Sequence, residues 1–90
     1  MTDKLYRQIE ENLLVSELAG ELVLMHTETG EYFGLNNLGM QIWNLMASPI
    51  SLPTIVDRLV SLYDISPEQC SIEVSQFILA LERRKLISNV

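Results

Sequence analysis

The sequence predicts an α+β fold, with a three-stranded antiparallel sheet followed by three helices in a winged helix-turn-helix-like order. Three observations carry that expectation. Between Leu13 and Leu35 the apolar residues come in short runs separated by turn residues. After Leu35 they recur at helical spacing. Gly20 and Gly30 fall between the runs, where hairpin turns need a positive φ. At 90 residues the chain is long enough for one small domain.

The first twelve residues are polar, with Glu10, Glu11 and Asn12 offering little to bury, and residues 1–12 are expected to form a flexible segment. The domain then spans residues 13–90. Leu13-Leu14-Val15, Leu22-Val23-Leu24-Met25 and Tyr32-Phe33-Gly34-Leu35 supply three strands of a meander. Leu22 and Leu24 face one side and Val23 and Met25 the other, so the second strand is central and the third, Glu31 to Leu35, lies at an edge. Asn36 and Asn37 can cap a first helix through Leu38, Ile42, Leu45 and Met46, ended by Ser48-Pro49. Ser51 caps a second, with Pro53 harmless in its first turn. Ser66-Pro67-Glu68-Gln69 offers a cap, a first-position proline and a capping-box partner for a third helix running to about Lys85. Its basic end suits the negative pole of the helix dipole.

Composition narrows the function. Six basic and 12 acidic side chains give a net charge of −6, which argues against a nucleic-acid partner. One cysteine excludes a disulfide framework and one histidine excludes a multi-histidine metal centre. No apolar run approaches the ~20 residues that cross a bilayer, and no secretion signal is visible at the N-terminus. A cytoplasmic protein with no cofactor and no membrane partner is expected. No catalytic set stands out either. His26 lacks a second histidine or a nucleophile, Cys70 reads as a semi-buried thiol, and Trp43 reads as a core anchor. Arg83-Arg84-Lys85 is the one basic cluster, but it ends the third helix, whereas base-reading residues come early, where Glu68 and Glu73 stand. A small winged-helix DNA-binding regulator is therefore the alternative reading and not the leading one.

Two features point elsewhere. The edge strand Glu31-Tyr32-Phe33-Gly34-Leu35 has no proline or lysine to guard it, so it is either covered by the chain itself or left open for an extended peptide. The third helix carries two apolar stripes, Cys70, Val74, Phe77, Ile78 and Leu81 on one side and Ile72, Leu79 and Leu86 on another. A helix with one partner needs one stripe. The helix is thus wedged between two layers, or it keeps a face for a ligand, with Glu73, Phe77 and Arg84 on the border of the first stripe.

Thr29-Gly30-Glu31-Tyr32-Phe33-Gly34-Leu35-Asn36, then Gly39 and Ile42-Trp43, resembles the signature of the pyrroloquinoline quinone biosynthesis protein D family (PqqD-like proteins). The Asp64-Ile65-Ser66-Pro67-Glu68 junction and Phe77, Leu81 and Leu86 fit the rest, over roughly residues 13 to 88. Lys85 departs from it, standing where the family often has glycine. The resemblance implies a non-catalytic recognition element for the leader segment of a ribosomally made precursor peptide. Such an element works beside a modifying enzyme, either a leader protease in lasso peptide pathways or a radical enzyme in quinone cofactor synthesis. By the same resemblance the leader pairs with Glu31, Tyr32, Phe33, Gly34 and Leu35 and lies against Glu73, Val74, Phe77, Leu81 and Arg84. The acidic balance favours a leader with basic residues, and Phe77→Glu or Leu35→Pro is expected to abolish its binding. The unguarded edge also leaves a homodimer open.

Overall fold

Two antiparallel three-stranded sheets and three helices make up the computed structural model, which describes residues 4–90. The elements run β1 (Leu5–Gln8), β2 (Leu13–Leu18), β3 (Glu21–His26), β4 (Tyr32–Leu35), α1 (Asn37–Leu45), β5 (Ile50–Ser51), α2 (Leu52–Leu62), α3 (Pro67–Arg83) and β6 (Ile87–Asn89).

The expected meander is the sheet β2-β3-β4. Ala19 and Gly20, both at positive φ, form the two-residue turn that joins β2 to β3. Gly30, at φ 74, closes the β3–β4 turn by donating to the His26 carbonyl at 2.7 Å. Leu22 and Leu24 are buried against the helices and face Leu35 and Phe33 across the strand pair. The second sheet, β5-β1-β6, was not foreseen. It overturns the expected flexible segment over its described part. Leu5–Gln8 pairs with Ile50–Ser51 on one side and Ile87–Asn89 on the other, and Tyr6 is buried. Residues 1–3 lie outside the described residues. The polar composition misled because a strand held on both sides is stabilised by its ladder, with a single inward tyrosine.

The caps follow the sequence. Asn36 Oδ1 accepts from the Gly39 N–H at 2.9 Å, Ser51 Oγ from Thr54 at 3.3 Å and Ser66 Oγ from Gln69 at 3.2 Å. Only half of the capping box forms: the Gln69 side chain donates to Glu73 at 3.3 Å, and its oxygen does not accept from the Ser66 N–H. Helix α3 ends at Arg83 in a Schellman closure. The Leu86 N–H donates to the Leu81 carbonyl and the Lys85 N–H to that of Glu82, both at 3.0 Å. Of the two stripes on α3, Cys70, Val74, Ile78 and Leu81 enter the core, together with Leu24, Leu35, Met46, Ile55 and Leu59. Ile72 and Leu79 stay about half exposed, and Leu86 lies beyond the helix, buried.

Candidate functional site

Among the described residues, nothing pairs with the outer side of β4. Its register with β3 matches Leu22 to Leu35, Val23 to Gly34, Leu24 to Phe33 and Met25 to Tyr32. The His26 N–H donates to the Glu31 carbonyl at 2.9 Å, which fixes the phase of the ladder. Phe33 and Leu35 therefore direct their backbone groups at β3, and Tyr32 and Gly34 direct theirs outward. Among the described residues, no backbone group bonds to that outer side. Leu5–Gln8 does not cover it, because both sides of that strand are paired in the other sheet. A Cβ added at Gly34 would meet nothing within 4 Å, so a second backbone can approach there.

Beside this edge runs a groove. Helix α3 lies antiparallel to β4, with Glu73 and Val74 level with Leu35 and Asn36 and with Arg84 level with Glu31. At the first end is a cavity of about 460 Å³, mostly apolar, lined by Phe33 and Leu35 of β4, Leu38, Gly39 and Ile42 of α1, Ile65, and Cys70, Val74 and Phe77 of α3. Glu73 is its charged member. Gly39 sets the width. A Cβ there would stand 3.3 Å from Phe77 Cζ, so the Phe77 ring would have to give by a few tenths of an ångström. Burial, and secondarily the Glu73 carboxylate, push the Cys70 thiol up, which leaves it protonated and inert as a nucleophile at neutral pH.

At the other end Arg84 bridges the two walls. Its Nη1 is 3.4 Å from Glu31 Oε2 and its guanidinium sits 5.1 Å from the centre of the Phe33 ring. The two charged side chains are 48% and 65% exposed, so the ion pair is worth at most about 1 kcal/mol and can be exchanged for another. Beyond it opens a polar cleft of about 850 Å³ between the β3–β4 turn and the last turn of α3, bordered by His26, Glu28, Glu31, Arg83, Arg84 and Lys85.

The structure thus gathers Glu31, Tyr32, Phe33, Gly34, Leu35, Glu73, Val74, Phe77 and Arg84 along one edge and groove. Tyr32 offers its backbone there, since its ring, 70% exposed, points to the opposite face from Phe33 and Leu35. Leu81 is a correction. It is fully buried and lines neither the groove nor the cleft, because its position three residues inside the α3 cap turns it into the core with Leu86. Asn36, Leu38, Gly39, Ile42, Ile65 and Cys70 join the site without having been named for it, although Asn36, Gly39, Ile42 and Ile65 stand among the residues that carry the resemblance and Cys70 on the first stripe of α3. Among the described residues, no group of three or more His, Cys, Asp or Glu could hold a metal ion, and no helix is long and apolar enough to cross a membrane.

Comparison with known proteins gives the following. The model of the coenzyme PQQ synthesis protein D (PqqD) family matches residues 21–87. The structure of TbiB1 in complex with the TbiA(beta) leader peptide superposes with a TM-score of 0.79 at 28% identity, covering 90% of this chain and 94% of that one. A lasso peptide synthetase B1 complexed with its leader peptide shares the fold at TM-score 0.82 and 18% identity, covering 92% and 96%. No curated protein matches the chain in sequence.

Proposed function

The chain belongs to the PqqD family, and from that premise we propose that it binds the leader segment of a ribosomally synthesised precursor peptide and presents it to a modifying enzyme. One observation carries the reading: β4 leaves its outer backbone unpaired directly beside an apolar groove. The leader enters as a fourth strand next to β4. Tyr32 and Gly34 offer one donor and one acceptor each, and every bond formed is worth about 0.5–1.5 kcal/mol net. That sum barely offsets the cost of ordering an extended peptide. A side chain buried in the cavity of Leu35, Leu38, Ile42 and Phe77 adds about 1.5–3 kcal/mol, so the apolar anchor decides affinity and the backbone decides register. TbiB1, the neighbour above 25% identity, was captured with a leader peptide, which supports the assignment.

On this reading the protein binds and does not transform its peptide, works in the cytoplasm, and has a leader protease or radical enzyme as its second partner. A homodimer formed through β4 would use the edge that takes the leader, so any such self-association would compete with leader binding. The test is to synthesise the N-terminal segments of short peptides encoded next to this chain's gene and titrate them into the isotope-labelled protein. Amide shifts are expected at Tyr32, Gly34, Glu73 and Phe77. Shifts confined to other surfaces would refute the site.

A further inference from the structure

Half of the chain's basic residues, three of its six, stand together as Arg83-Arg84-Lys85. A helix end explains their sign but not their conformation. Lys85 sits at φ 59, in the left-handed region, at the cap position that glycine fills without strain. The Schellman bonds of Leu86 and Lys85 use backbone only, so the cap itself has no use for the lysine side chain. Keeping a strained lysine here is a cost to the fold with no return inside the fold.

Its surroundings suggest the return. Arg83, Arg84 and Lys85 border the polar cleft that continues the groove beyond Arg84. Two carboxylates share that cleft, and both are engaged. Glu31 holds Arg84, and Glu28 Oε1 accepts from Asn12 Nδ2 at 2.6 Å. Among the described residues neither Arg83 nor Lys85 has an acidic partner. His26 borders the same cleft, with its Nδ1 buried and without a hydrogen-bond partner. The cleft therefore holds unmatched donors at one end of a groove whose other end is apolar.

We propose that Lys85 and Arg83 form a carboxylate-reading subsite for the peptide bound along β4. The inference rests on the leader-binding reading and names the chemistry of the leader. Glu31 and Leu35 lie on one face of the strand edge, four positions apart in sequence. Side chains of an added strand face the groove at alternate residues. The peptide then carries an acidic residue about four positions from its apolar anchor, both on the groove side. This preference opposes the field of the whole protein, whose net charge of −6 favours basic peptides. An acidic preference at one position is thus specific to the subsite.

The experiment uses the full chain and a display library of random extended peptides, selected in parallel on the native protein, Lys85→Gly and Gly34→Pro. Peptides retained by the native chain and lost with Gly34→Pro are those that use β4. Among these, Asp or Glu is expected to be enriched about four residues from an apolar position, and the enrichment is expected to vanish on Lys85→Gly. A synthetic consensus peptide should bind Lys85→Gly about fivefold more weakly, with a shallower salt dependence, and its Asp→Asn form should bind both proteins alike. Since glycine relieves the backbone, Lys85→Gly should melt no lower than the native chain, which separates a lost contact from a damaged fold. β4-dependent peptides without acidic enrichment, or equal affinity for Lys85→Gly, would overturn the subsite and leave the groove standing. A selection with no β4-dependent peptide would overturn both readings.

Discussion

Gly34→Pro separates folding from binding more cleanly than any other single change. The Gly34 N–H points away from β3, so a proline there removes no bond of the existing sheet. Its Cβ meets nothing within 4 Å, and the ring closes back onto the nitrogen that faces the unpaired side. The fold side is then a small balance. Narrowing φ from a strand value toward −65° costs something, and the lower entropy of the unfolded chain returns about 0.4–1 kcal/mol. The melting temperature should move by a few degrees at most. The binding side is large. One donor is lost, worth about 1 kcal/mol, and the ring Cδ intrudes into the ~4.8 Å spacing that an added strand needs. That intrusion removes at least one neighbouring bond and lifts the strand from the groove. The sum is about 2–4 kcal/mol, or roughly a 30- to 1,000-fold weaker Kd. Fluorescence anisotropy with a labelled leader reads the binding, and circular dichroism on heating reads the fold. Phe33→Pro is the internal control, because its N–H belongs to the β3 ladder opposite Leu24, and it should unfold the domain. The same phase shows that Leu35→Pro, suggested by sequence alone, tests folding and not binding. A folded Gly34→Pro protein that binds the leader within about twofold of the native chain would refute strand addition at β4.

Two other outcomes follow from the core. Leu81→Ala should destabilise the domain by about 2–5 kcal/mol in urea unfolding, and any fully folded population should bind the leader at native affinity, because Leu81 is fully buried outside the groove. Cys70 gives a pH signature: its thiol is raised in the fold by burial and then by Glu73, so the native state keeps a proton that the unfolded chain loses above a pH of about 8.5. Stability contributed by the protonated thiol is full below that pH and falls as pH rises through it, and Cys70→Ala should flatten the decline. Identical slopes for both proteins in pH-dependent unfolding would show that the thiol is not held.

The meander, the three helices and their caps were legible because each rests on local chemistry. Positive-φ turn positions, a change of hydrophobic period and a side-chain oxygen three residues before an N–H can all be read from neighbours in the chain. The second sheet was not, because β1, β5 and β6 contribute four, two and three residues from distant parts of the chain, and none is apolar enough to announce a strand alone. Tyr6 is the single side chain that β1 buries. The open edge was legible as an unguarded strand, but whether the N-terminus covered it depended on that unseen sheet. Within the groove, alternation along the strand puts Phe33 and Leu35 on the cavity side and Tyr32 on the other face. The helix contribution was harder, since Val74, Phe77 and Leu81 share one stripe and only their depth divides cavity wall from core. Depth depends on contacts between elements distant in sequence, such as the close approach of Gly39 on α1 to the Phe77 ring on α3, which sequence spacing does not show.

An open edge invites any strand, so specificity has to come from elsewhere. β4 is only four residues long, and among the described residues the sheet's other edge, β2, also has no partner strand. What distinguishes β4 is the wall beside it. A second copy of this sheet approaching β4 would meet α3 along one side and the same net charge of −6 on its own surface, which disfavours edge-to-edge pairing. A single extended peptide meets neither obstacle, because it is narrow enough to lie between strand and helix and can match the apolar end and the basic end with one side chain each. The helix therefore acts as the guard that the strand lacks in its own sequence. It excludes broad partners and rewards thin ones, which explains how an edge without proline or lysine stays selective.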